Sequence, residues 1–149
     1  MTHVVRDPDF EARVRASFAR QQFMATIGAR LERVTPGEVT IALSFRADLT
    51  QQHGFLHAGV VTSVVDSACG YAALTVMEPG FEVLAVEFKV NLLAPAAGTE
   101  FLAVGRVVRS GRTLVVCSGE LRAIHNERDT VVALMQGTMM AVRDKEGLV

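Results

Sequence analysis

Gln51, His57 and Asp66 carry the side chains most able to do chemistry in the first half of the chain. Asp66 is the only carboxylate between Leu56 and Met77, a run otherwise rich in valine and alanine. An acid in such surroundings is costly enough to need a reason. It either moves a proton or attacks a substrate, or it is a structural acid held by backbone hydrogen bonds. Just upstream, His57-Ala58-Gly59 stands where a helix would begin, and the first N–H groups of a helix have no partner inside it. Donors of that kind suit an oxygen that gains charge during a reaction. His57 reads as a positioning residue bonded to backbone in the loop, and His53 as loop. Nine residues of sequence carry the chain from His57 to Asp66, roughly 13 Å at about 1.5 Å per helical residue. The two therefore cannot act as a pair within one chain, whereas Asp66 could meet the His57 loop of a second copy.

The element that must hold Asp66 is a helix over about Ala58 to Val76. Val61, Val64, Val65, Ala68, Ala72 and Val76 form an apolar stripe at a spacing of three and four. Gly59, Thr62, Ser63, Asp66, Cys69, Gly70 and Ala73 form an opposite stripe of small or polar residues. That stripe lacks the Lys, Arg and Glu of a solvent face, so a partner subunit, a ligand or both should cover it. The β-branched residues from Val60 to Val65 are mediocre helix formers, but a strand of this length would be far longer than usual. Glu78-Pro79-Gly80 stops the helix.

Around it, Asp7 to about Ile27 reads as helical, with Phe10, Val14, Phe18 and Phe23 along one side. Ala29 to Val34 reads as a short strand ended by Thr35-Pro36-Gly37. Val39, Ile41, Leu43 and Phe45 alternate with polar or small residues, as in a half-buried strand. Past the helix, strands are expected over Leu84–Leu92, Glu100–Arg109, Arg112–Ile124 and Thr130–Val142. Ser110-Gly111 is the hairpin turn, and His125 to Asp129 is a polar turn. The architecture expected is α+β, an antiparallel meander packed on one helix. The divisions expected are an N-terminal helical extension over 1–27, the main domain over 28–143, and a frayed tail over 144–149.

The 149 residues make one domain's worth of chain, and with half of them hydrophobic they can bury a core. A formal net charge of −1, with both signs scattered, lacks the footprint of a nucleic-acid binder. The two cysteines, Cys69 and Cys117, have no metal-ligand spacing and read as buried thiols. The four histidines form no ligand set, so no metal site is expected. With no signal-peptide pattern and no apolar run fit to span a bilayer, a cytoplasmic protein without membrane partners is the expectation.

Three segments resemble the hotdog-fold thioesterases, in the branch typified by the phenylacetate-pathway thioesterase. They are His57-Ala58-Gly59 with Asp66, then Ala85-Val86-Glu87-Phe88-Lys89-Val90-Asn91-Leu92-Leu93-Ala94-Pro95-Ala96, and Arg109-Ser110-Gly111-Arg112-Thr113-Leu114. In order and spacing they cover roughly Leu31 to Val142. The resemblance implies a hotdog fold, an antiparallel β-sheet wrapped around a long central α-helix, here with an extra N-terminal helix. It implies an acyl-coenzyme A thioesterase working at a dimer interface, as a homodimer or a pair of dimers. No cofactor is implied, since coenzyme A is part of the substrate. Asp66 would be general base or nucleophile, Gln51 would orient water or the thioester, and the Ala58 and Gly59 N–H groups would hold the oxyanion. Ala85 would lie near the acyl group, Asn91 beside the pantetheine channel, and Arg109 and Arg112, flanking Ser110-Gly111, against the phosphates, with Pro95 and Thr113 also among the substrate-binding residues. Two departures stand out: Ala58 replaces the first glycine of a pair, and Ala85 replaces a Ser or Thr that some relatives carry. Ala58 keeps its N–H, but Ala85 cannot hold a water or substrate atom through a hydroxyl. The acyl group stays open among phenylacetyl, other aryl and medium-chain groups, with Phe55, Tyr71, Leu74 and Phe81 bearing on pocket depth. A hotdog-type hydratase and a non-catalytic acyl-coenzyme A binder are the competing readings.

Overall fold

The computed structural model describes residues 3–143. Helices α1 (Phe10–Arg20) and α2 (Gln22–Ile27) lead into strands β1 (Arg30–Thr35) and β2 (Glu38–Ser44). A short 3-10 turn at Ala47–Leu49 precedes the central helix α3 (Ala58–Leu74). Strands β3 (Phe81–Leu92), β4 (Glu100–Ser110), β5 (Leu114–His125) and β6 (Arg128–Arg143) follow. All strand pairs are antiparallel, in the order β1-β2-β4-β5-β6-β3.

That order departs from a plain meander, because β2 pairs with β4 while β3 sits at the far edge beside β6. Composition accounts for the exchange. Gly105 of β4 and Gly119 of β5 lie directly under α3, where a side chain would not fit. A Cβ on Gly105 would come 2.3 Å from the Ala68 carbonyl, and one on Gly119 2.5 Å from Val65 Cγ1. Those two strands hold the centre. Strand β3, carrying Glu82, Glu87 and Lys89, suits an edge.

The apolar stripe of α3 is buried throughout, and the same core takes in Val14, Met24 and Ile27 from α1 and α2. The expected single N-terminal helix is broken at Gln21, whose φ of −78° and ψ of 95° are extended. The break shifts the phase, so Phe23 is exposed and Met24 and Ile27 turn inward. On β2, Val39, Ile41 and Leu43 are buried as expected, but Ala42 is buried too and Phe45 lies past the strand's end, exposed. Strand β5 starts at Leu114, since Gly111 to Thr113 belong to the turn and the Gly111 N–H donates to the Leu114 carbonyl at 2.8 Å. The five-residue polar turn expected after β5 tightens to Asn126-Glu127, with φ of 44° and 64°, which match the strand twist of a two-residue hairpin. The tail over 144–149 lies outside the described residues.

Both ends of α3 are tied down. At the start, His57 Nδ1 accepts the Gly59 N–H at 2.8 Å, a side-chain cap on an otherwise orphan donor. At the end, the Arg13 guanidinium donates to the carbonyls of Leu74, Met77 and Glu78 at 2.8, 3.0 and 2.8 Å. It is itself paired with Asp7 at 3.2 Å. Thus α1 positions the helix that carries Asp66.

Candidate active site

Asp66 stands midway along α3 on the side that the sheet leaves partly open. Gly59, Thr62, Ser63, Asp66 and Gly70 form that strip; Cys69 and Ala73, expected with them, are fully buried under the sheet. The carboxyl faces a hollow of about 130 Å³ whose walls include Gln21, Ser67, Tyr71, Ala85 and Met139. Asp66 Oδ1 is sealed from solvent and accepts no hydrogen bond from the described residues. Burial pushes its pKa above the ordinary 3.8, and no Lys, Arg or His among the described residues lines the hollow to oppose that. A carboxyl held this way takes a proton more readily than a surface one, as a general base should.

The cysteines sit behind it in the core. Cys117 Sγ donates to the Cys69 carbonyl at 3.5 Å. Burial pushes the Cys117 thiol to about 12. The Cys69 thiol is raised further, by burial first and then by Cys117 and Asp66. Neither is a nucleophile at neutral pH.

The helix start is arranged differently from expectation in one respect. The Gly59 N–H is taken by His57 Nδ1, so it is not a free oxyanion donor in this conformation. The Ala58 N–H donates to no acceptor among the described residues. An accepting Nδ1 puts the His57 proton on Nε2, and the residue is exposed. Gln51 is fixed by a tight loop: its N–H donates to the Phe55 carbonyl at 2.9 Å, and its carbonyl accepts from Gly54 at 3.0 Å. Its side-chain oxygen accepts the His53 N–H, which leaves the amide NH₂ as the outward donor. Gln51, Ala58 and Pro95 line a second hollow of about 490 Å³, with Phe55 and Leu92.

The two hollows meet opposite ends of β3, Asp66's at Val83 and Ala85, Gln51's at Leu92. One chain does not bring Asp66 and Gln51 together. Asn91 enters neither hollow; its register partner is the exposed Leu134, on the outer sheet face. At the β4–β5 turn, Ser110, Gly111 and Arg112 line a hollow of about 220 Å³ with Arg6, Phe81 and Arg143. Arg109 faces an adjoining one of about 420 Å³ with His3 and Arg6. Neither Arg109 nor Arg112 forms an ion pair with a described residue. Thr113 lines no described hollow, and its carbonyl accepts the Ala141 N–H at 2.8 Å. Of the residues expected to set pocket depth, Tyr71 lines the Asp66 hollow, Phe55 the Gln51 hollow and Phe81 the arginine-lined one, while Leu74 is core. Among the described residues no three His, Cys, Asp or Glu side chains cluster as metal ligands.

The family model described as the thioesterase superfamily matches residues 53–130, more than half of the chain. This chain belongs to the thioesterase superfamily. A thioesterase family protein from Silicibacter pomeroyi is 48% identical, with a TM-score of 0.89 over 91% of this chain and 99% of that one. The PaaI protein of the E. coli phenylacetic acid degradation operon has a TM-score of 0.80 at 20% identity, over 93% of this chain and 96% of its own. A Haemophilus influenzae thioesterase has a TM-score of 0.79 at 15% identity, over 100% of this chain and 97% of that one. The last two likenesses show the shared hotdog fold. The stretch matched to the superfamily holds His57, Ala58, Gly59 and Asp66 but neither Gln51 nor Gln21. No helix of this thioesterase is long and apolar enough to cross a membrane among the described residues.

Two groups at these sites escaped the sequence reading. Gln21 looked like one polar residue among the good helix formers of an amphipathic helix, with no local signal to single it out. Arg6 and Arg143 lie far from the β4–β5 turn in sequence, and only the fold brings them to it.

Proposed function

We propose that this thioesterase hydrolyses acyl-coenzyme A, with Asp66 as general base or nucleophile at a site completed by a second copy of the chain. The observation that carries the reading is the sealed Asp66 Oδ1, without a partner among the described residues, at one end of β3, with Gln51 and Ala58 at the other. Strand β3 is an edge strand with Leu84, Val86, Phe88 and Leu92 all exposed, an edge that natural proteins normally cover. Pairing it antiparallel with its own copy about a two-fold axis is self-complementary. That exchange of ends lays the Ala85 end of one strand beside the Leu92 end of the other, so Asp66 of one copy faces Gln51 and Ala58 of the next. A register centred on Phe88 would also set Glu87 opposite Lys89 of the second copy.

In such a site the thioester carbonyl lies between the two copies. The Ala58 N–H, the Gln51 amide and the His57 Nε2–H are its available donors. As a base, Asp66 takes a proton from water, whose oxygen adds to the carbonyl carbon. The carbon–sulfur bond then breaks, and the thiolate leaves and is protonated. As a nucleophile, Asp66 attacks the same carbon, forms an anhydride with loss of thiolate, and water hydrolyses the anhydride. Arg109 and Arg112, free of ion pairs with described residues, are suited to the phosphates of coenzyme A, with Ser110 and Gly111 between them.

Thiol release from a panel of acyl-coenzyme A esters tests the hydrolase reading, with wild type beside Asp66→Ala and Asp66→Asn and the oligomeric state of each measured. Hydrolysis by wild type and collapse in both variants, with the dimer intact, is the expected result; undiminished variants would remove Asp66 from the chemistry. Saturable binding without turnover would mark a binder instead. Shared sites are tested by remixing Asp66→Asn with Gln51→Ala subunits. Random exchange makes half the dimers hybrids, each with one of two sites whole, so about a quarter of the wild-type rate should return. No recovery on mixing would put both residues in one chain's site or outside the chemistry.

A further inference from the structure

The break between α1 and α2 has no local cause. Ala19-Arg20-Gln21-Gln22 are good helix formers, with neither the glycine nor the proline that ordinarily interrupts a helix. Yet Gln21 is extended, and its side chain leaves the helix line to enter the Asp66 hollow. There its amide stands 3.4 Å from Ser67 Oγ, on the next position of α3 after Asp66. A site where strong local propensity is overridden is where a functional constraint is to be sought. The neighbouring wall is firm: Tyr71 is nearly buried and packs edge-on against Phe18 of α1, with ring centres 5.7 Å apart.

We infer that Gln21 is the specificity-determining residue of the acyl site, closing the hollow behind Asp66 and limiting the acyl group to about the size of one ring or a short chain. The inference rests on the hydrolase reading for its assay but concerns the shape of the hollow. The part of the hollow walled by this chain, about 130 Å³, is close to the roughly 150 Å³ of an enclosed apolar protein cavity that admits a benzene molecule. A longer chain runs into the Gln21 side chain.

The test is kcat/KM over straight-chain acyl-coenzyme A esters from butanoyl to dodecanoyl, for wild type, Gln21→Ala, Gln21→Met and Gln21→Phe. In parallel, binding of the matching non-hydrolysable thioether analogues is measured by calorimetry. Gln21→Ala removes four heavy atoms from the wall and should move the cut-off to longer chains. Each methylene newly admitted should gain about fourfold, mostly in KM. Gln21→Met, similar in volume, should keep the wild-type cut-off, and Gln21→Phe should shorten it, which keeps the inference testable if the alanine variant folds poorly. A parallel loss at every chain length, with the cut-off unmoved, would overturn the role of Gln21 while leaving hydrolysis at Asp66 standing. Turnover absent in wild type but a shifted cut-off in analogue binding would overturn the hydrolase reading and uphold Gln21. Failure to bind any analogue would overturn both.

Discussion

Replacing Asp66 by Asn should make the protein more stable as well as inactive, and the gain should depend on pH. Oδ1 is buried without a partner among the described residues, and burial raises the carboxyl's pKa in the folded state. Here the folded state holds the proton more tightly than the unfolded chain. The stability this contributes is fully present below the ordinary 3.8 and is lost as pH rises through the higher folded value. Above that folded value the wild type carries the cost of an ionised oxygen with no partner among the described residues. An unsatisfied buried group costs about 1–3 kcal/mol, and since Asp66 is only partly buried the low end, about 1 kcal/mol, is appropriate after solvent screening. For a chain of this size that is a Tm difference of about 2–4 °C. Asparagine keeps the shape and a polar atom in the same place, so the comparison reads the charge. The groups nearest the carboxyl that could titrate, Tyr71 and Cys69, are both raised by burial and stay neutral over this range. Calorimetric melts of both proteins from about pH 4 to about pH 8, at one protomer concentration, should show the Tm difference opening as pH rises. A difference that is flat, or that favours wild type at neutral pH, would refute the reasoning. It would mean that the assembled protein supplies hydrogen-bond donors to the carboxylate.

Removing the α3 cap with His57→Ala should cost about 1 kcal/mol, read as a lower Tm, and should slow thiol release. Arg13→Met keeps the stem but removes one bond to the last residue of α3 and two to the turn after it, and leaves Asp7 without its ion-pair partner; about 2 kcal/mol of destabilisation is expected by denaturant melts. Gly119→Ala forces a Cβ to within 2.5 Å of Val65 Cγ1 and 2.7 Å of Cys69 Sγ, and should cost about 1–3 kcal/mol in the same assay. Arg109→Ala with Arg112→Ala should raise KM for coenzyme A esters and leave thioesters of the bare pantetheine arm unaffected; equal effects on both would remove the pair from phosphate binding.

Much of this arrangement was legible in the sequence because it depends on local pattern. The stripe Val61, Val64, Val65, Ala68 reports one buried helix face, and the lone carboxylate on the other face reports a place the core does not want it. The alternation along β2 likewise reports one wall of the sheet. What was not legible depends on pairing between distant segments. The place of β3 beside β6 follows from which strands can pass under α3 at Gly105 and Gly119, and no local period encodes that. Cys69 and Ala73 sit at the border of two helix faces, and only the curl of the sheet decides that they are covered. Gln21 was hidden for the opposite reason: its neighbours favour a continuous helix, so the local signal pointed away from its place beside Asp66. At the helix start, the side-chain cap from His57 is a choice of rotamer, which redirects the Gly59 N–H without any change of residue pattern.

The pairing of β3 with β6 also bears on when the protein can become active. Ala85 is aligned with Met139, and the two stand side by side in the wall of the Asp66 hollow although 54 residues separate them in sequence (139 − 85). During synthesis α3, β4 and β5 can assemble while β3 still has no strand to lie against. Contacts so distant in sequence form late, since a long loop must close before they are rewarded. The hollow, and the free edge on which a second copy could align, therefore take shape together once β6 has been made. The Asp66 carboxyl is walled in by β6, the last of the described strands, so a chain made only as far as β5 presents neither a finished hollow nor a formed edge for assembly.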